Sequence, residues 1–179
     1  MIPDLTKLQK ELHDLEKQQE ELVALSRKLT KDSKQAIYCI HRNELNQAEQ
    51  LIQHVKKQLP KERSYLLNAA YQEYAEAALF FSFVQQHKVL PYAQLNIGAE
   101  NYLCGLADLS GELERRAVML ALKKDIKGVQ NIRNTVDEIL GAFLQFDLKN
   151  GELRRKYDAI KWNLAKIERV LYDITLQRK

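Results

Sequence analysis

Residues 153 to 174 read LRRKYDAIKWNLAKIERVLYDI. The apolar positions Leu153, Tyr157, Ile160, Leu164, Ile167, Leu171 and Ile174 alternate steps of four and three. An average of about 3.5 residues is the seam of a helix packed in a bundle or on a partner, whereas a strand would alternate every two residues. The pattern continues upstream. DLKNG is a turn, with Asn150 and Gly151 supplying the turn chemistry. Before it, Ile126, Val129, Ile132, Val136, Ile139 and Phe143 mark a helix over about 125–146. Leu103, Leu106, Leu109, Leu113, Ala117 and Leu120 mark another over about 99–124. Pro60 and Pro91 bracket a third over about 62–89, PYAQLNIG being a short connection with at most one helical turn. A fourth covers about 43–59. At the start, Pro3 suits a first helical position, and Leu5, Leu8, Leu12, Leu15, Leu22, Leu25 and Leu29 lead into Ala36, Ile37 and Ile40. That is one helix of about forty residues. The reading is all-α: a single-domain bundle over 1–179, with a long N-terminal helix and no repeats.

Composition agrees and sets limits. The 179 residues are 45% apolar, enough for one substantial core, and only 6 Gly and 3 Pro interrupt a chain dominated by helix formers. No apolar run approaches the ~20 residues needed to span a bilayer, and the N-terminus lacks a signal-peptide core, so a soluble, cytoplasmic chain is expected. Cys39 and Cys104 sit in apolar contexts without metal or disulfide spacing, as reduced core residues would. The net charge of +4 is too balanced for a general polyanion-binding surface, so any nucleic-acid site must concentrate charge locally. The concentrations are Lys56, Lys57, Lys61 and Arg63 around Pro60, then Arg115 and Arg116, Lys123 and Lys124, and Arg154 to Lys156; each alone reads equally as a solvated helix face.

The chemical signal lies in AAYQEYAEAALFF, residues 69–81, where Glu73 and Glu76 stand three apart in an apolar run. On a helix they share one side, about 60° apart, at the edge of the apolar arc rather than in its polar sector. Two neighbouring half-buried carboxylates require compensation. Either Lys or Arg from another helix pairs with them, or they hold a hard cation, Mg²⁺ or Mn²⁺, through oxygen. Further acids stand in GLADLSGELERRA: Asp108 and Glu112 stack on one helix face, Arg115 follows one turn later, and that face opposes the leucine stripe. Gly105 and Gly111 flank it, and glycine inside a helix is unfavourable unless something must approach closely. No histidine has a glutamate three positions before it, which argues against a di-iron bundle site, and phosphate-loop and hydrolase motifs are absent.

The blocks LSRKLTKDSKQAIYCIHR (25–42), YQEYAEA (71–77), YLCGLADLSGELERRA (102–117) and the C-terminal helix together resemble the translin superfamily, collinearly over most of the chain. The paired glutamates resemble the translin-associated factor X branch, whereas LKNGELRRKYDAIKW is closer to the translin branch. That combination suggests a prokaryotic, archaeal homologue. The resemblance implies an all-α subunit of about seven helices in a hollow homo-oligomeric shell, an octamer, that encloses single-stranded RNA. It further implies Mg²⁺-dependent endoribonuclease activity on RNA fragments or tRNA pieces, with Glu73, Glu76 and Asp108 catalytic and Glu112 a fourth metal ligand. Arg115 is a candidate phosphate contact or a counterion of Glu112. Arg42, Lys61, Arg63, Lys88 and Arg116 are candidates for tracking RNA, each with an ordinary surface-cation alternative. His41 is expected to hydrogen-bond within the core. The competing class is a non-catalytic protein that binds single-stranded RNA or DNA, its acids being salt bridges; a coiled-coil scaffold would leave the acids unexplained.

Overall fold

The computed structural model describes residues 4–60 and 63–176; Pro3, Lys61 and the expected helix start at Glu62 lie outside them. Six helices form: α1 (Thr6–His41), α2 (Leu45–Gln58), α3 (Asn68–Gln86), α4 (Ala99–Leu122), α5 (Ile126–Phe143) and α6 (Glu152–Leu176). Among the described residues there is no strand. The ends follow local chemistry. α1 stops where Asn43 takes a left-handed φ of 63°, and α2 stops before Pro60, with Leu59 extended. α3 is shorter than its apolar pattern suggests. Ser64 caps a 3₁₀ turn at Tyr65–Leu67, its Oγ accepting from the Leu66 amide, and the helix closes at His87, left-handed at φ 55°. The Asp125 side chain caps α5 by accepting from the Gly128 amide.

Cross-helix pairs define the topology. Lys34 meets Glu73 and His41 meets Phe80, so α1 and α3 run in parallel. Asn68 meets Asn101 and Ala75 meets Gly105, so α4 runs with them, and Ser110 to Asn163 and Glu114 to Lys166 add α6. α2 returns against α1 through Lys28 and Gln58, and α5 against α6 through Arg133 and Glu168. One continuous apolar core joins all six, centred on Leu29, Ile40, Tyr74, Phe80, Phe83, Leu109, Leu113, Ile132 and Ile160. The first half of α1 extends beyond that core, leaving Leu5, Leu8, Leu12 and Leu15 exposed.

One close approach positions the site. A Cβ on Gly105 would lie 2.5 Å from the Ala75 Cβ and 2.9 Å from the Glu76 amide nitrogen, so the backbones of α3 and α4 touch there. Gly111 has no such constraint, the nearest atom to a Cβ there being the Asn163 Nδ2 at 3.7 Å.

Candidate carboxylate site

The contact at Gly105 brings Glu76 of α3 against the acidic face of α4. Glu76 is buried, with 9% of its surface exposed, and its carboxyl makes no hydrogen bond or ion pair with the described residues. Burial first, then the charges of Asp108, Glu73 and Glu112, push it up to about 9, with Lys156 opposing. At neutral pH it is an uncharged acid.

Each of the other three acids has a cationic or imidazole partner. Lys34 Nζ lies 3.1 Å from Glu73 Oε1, Lys156 pairs with Asp108, and His41 pairs with Glu112. Burial raises Asp108 although the Lys156 hydrogen bond acts against it. Burial is the largest single influence on the Lys156 ammonium and lowers it, but the hydrogen bond and charge of Asp108, with the charges of Cys104 and Glu152, together raise it. His41 packs its ring 4.8 Å from that of Phe80, the core position expected of it.

A cavity of about 380 Å³ opens here, lined by Lys34, Ile37, Tyr38, Glu73, Glu76, Glu112 and Arg115. Three of the four sequence-selected acids line it, and Asp108 lies behind, turned toward Lys156. Among the described residues no three acids, histidines or cysteines already converge as a metal cage. The donor chemistry still fits a hard cation: every donor is a carboxylate oxygen, and Glu76 is buried without a partner. In the described arrangement Lys34 and Lys156 supply the positive charge, and His41 pairs with Glu112.

The cations selected from sequence are dispersed. Arg115 is exposed on the cavity wall. Arg42 lies one turn beyond Tyr38, bonded to Glu44 Oε1 at 2.7 Å. Arg116 is half-buried, and burial lowers it. Arg63 lies beside Gly98 at the opposite end of α4, Lys88 is exposed just past α3, and Lys61 lies outside the described residues. Lys34 and Tyr38 were not singled out by sequence patterns, and Lys156 was noted only as part of a basic run, not as a partner of the acids. Lys34 and Tyr38 sit in the quoted 25–42 block at a helical step of four, and Lys156 ends the Arg-Arg-Lys run, so their spacing was visible but their partners on other helices were not.

Residues 17–178 match the Translin family. Translin of Gallus gallus is 34% identical over 46% of this chain and 36% of its own length, so the chain spans about a third of the curated translins it matches. An uncharacterised protein of Methanocaldococcus jannaschii is 30% identical, covering 82% of this chain and 72% of that one. Translin-associated protein X of Mus musculus is 25% identical over 94% and 76%. Among solved structures, apo-NeC3PO and AfC3PO in complex with duplex RNA each superpose with a TM-score of 0.86 at 24% identity, covering 97% of this chain and 98% and 97% of theirs. No described helix is long and apolar enough to cross a membrane.

Proposed function

The chain belongs to the Translin family, and from that premise we propose that it is a metal-dependent endoribonuclease acting on single-stranded RNA within a homo-oligomer. The observation that carries this reading is Glu76. A largely buried carboxyl with no protein partner, on a cavity wall beside Glu73 and Glu112, leaves a place for a ligand to complete it. Glu73, Glu76, Asp108 and Glu112 would hold Mg²⁺ or Mn²⁺. When bound, such an ion supplies charge to the scissile phosphate and acidifies an attacking water. The protein's own groups do the rest. Arg115 offers a planar fork to phosphate oxygens. A carboxylate of the cluster free of the ion accepts the proton of the water. Lys34 and Lys156 hold Glu73 and Asp108 in place when the ion is absent. Arg42, Arg63, Lys88 and Arg116, spread over the molecule, together with Lys61 guide the RNA backbone, and single-stranded DNA is a second ligand. The fold shared with AfC3PO, a protein that takes duplex RNA, supports the nucleic-acid part of this reading. The exposed leucines of α1 support assembly, which we place at an octamer in the cytoplasm.

A second reading has its own support. Because Glu73, Asp108 and Glu112 each already have a partner, the acids would be structural in a protein that binds RNA without cutting it. A cleavage assay separates the two. On 5′-labelled single-stranded RNA, the nuclease yields fragments with Mg²⁺ and none with EDTA or in Asp108→Asn. Intact RNA that remains bound under all three conditions establishes the binding protein instead.

A further inference from the structure

We propose that Tyr38 is a nucleobase platform: its ring, on the wall of the carboxylate cavity, stacks on an unpaired base of the RNA whose backbone the cavity engages. This rests on the nucleic-acid reading above and adds to it the part of the ligand recognised. Tyr38 is 53% exposed and is the aromatic side chain that lines the cavity. Packing does not require it there. The core side of the same stretch of α1 is supplied by Ala36, Ile37 and Ile40, and Tyr38 points about 160° away from Ala36 and Ile40 on the helical wheel.

Its setting favours a flat, electron-rich partner beside phosphates. Lys34 and Arg42 stand one turn before and after it, about 6 Å along the axis in each direction. The Arg42 guanidinium carbon lies 5.6 Å from the ring centroid, and its Nη1 donates to the Tyr38 hydroxyl at 3.5 Å. Glu44 pairs with that guanidinium at the surface, so Arg42 lies against one side of the ring and leaves the other open. Arg115, which also lines the cavity, contributes a third cation. The acids repel a polyanion, so an uncharged stacking contact next to them gives a strand purchase that does not depend on their charge. A ring of this kind stacks on any base, but only on one released from its neighbours, so a paired strand must first be opened.

Binding of a short 5′-labelled oligoadenylate to the full-length protein, read by fluorescence anisotropy in EDTA so that no cleavage occurs, tests this. An abasic oligomer of equal length reports the backbone contacts alone. Tyr38→Ala is expected to weaken the oligoadenylate by about 5- to 150-fold, the range typical of a lost base–aromatic stack. Tyr38→Phe restores it, and the abasic oligomer binds wild type and Tyr38→Ala equally. Thermal melts confirm that both variants fold. Equal oligoadenylate binding by Tyr38→Ala, or an equal loss for the abasic oligomer, overturns the platform and leaves the nucleic-acid reading standing. A wild-type protein that binds neither oligomer overturns both.

Discussion

Glu76 is where residue chemistry and function meet. Its folded-state acid is raised to about 9 from an ordinary 4.5. The unfolded chain therefore releases this proton first, and stability falls as pH rises between those values, by up to about 1.4 kcal/mol per pH unit. Glu76→Gln removes the slope and is expected to be more stable than wild type at pH 8, with the two converging near pH 4; urea titrations across that range would show it. Asp108 is shifted in the same direction, burial being the largest cause, but it has a counterion to lose. Lys156→Met leaves a half-buried carboxylate without its counterion and should destabilise by about 1–3 kcal/mol, read as a lower denaturant midpoint at pH 7. The glutamate pair was legible because both members lie on one helix, where about 100° per residue fixes their phase. The counterions of the acids were not, because Lys34 comes from a helix about 40 residues before Glu73 and Lys156 from one 48 residues after Asp108, and helical phase carries no information across such a gap.

Among the elements, the α3–α4 contact determines whether the acids meet at all. Gly105→Ala would force a methyl to within 2.5 Å of Ala75 and against the α3 backbone. The helices must part, and a loss of about 1–3 kcal/mol or more is expected, together with weaker metal binding because Glu76 moves with α3. Gly111→Ala has room and should stabilise by up to about 1 kcal/mol, since it only replaces a poor helix former. Thermal melts of the two variants, shifted in opposite directions, check both. Sequence alone flagged both glycines as flanking the acidic face; which of them lies under a neighbouring helix is a tertiary fact. The helix order was legible throughout, and α6 conforms to its four–three seam. α3 departs at both ends because Ser64 and the 3₁₀ turn take over its first residues, and His87 adopts the left-handed geometry that ends a helix. Apolar periodicity continues through such positions.

At the scale of the molecule, the exposed half of α1 is the largest departure from a self-contained bundle. Leu5, Leu8, Leu12 and Leu15 are each about half exposed or more, at helical spacing, with no core beneath them. Replacing Leu8 and Leu12 with Glu should lower the assembled mass in light scattering while the helical circular dichroism signal per residue stays within a few per cent of wild type. If the chain binds RNA as proposed, the balanced net charge of +4 leaves the attraction to local cations, so affinity should fall steeply with salt, and a flat response would argue against phosphate contacts. On the proposed function the carboxylate cavity takes a divalent cation, and Glu76 supplies a signature of that binding. A protonated Glu76 must lose its proton to become a ligand. Calorimetric titration of Mg²⁺ at pH 7.5, repeated in buffers of different ionisation enthalpy, should show binding with release of about one proton per site, and Glu76→Gln should bind more weakly without that release. Mg²⁺ binding that releases no proton and is unchanged in Glu76→Gln, or no binding by the wild-type protein, would contradict it.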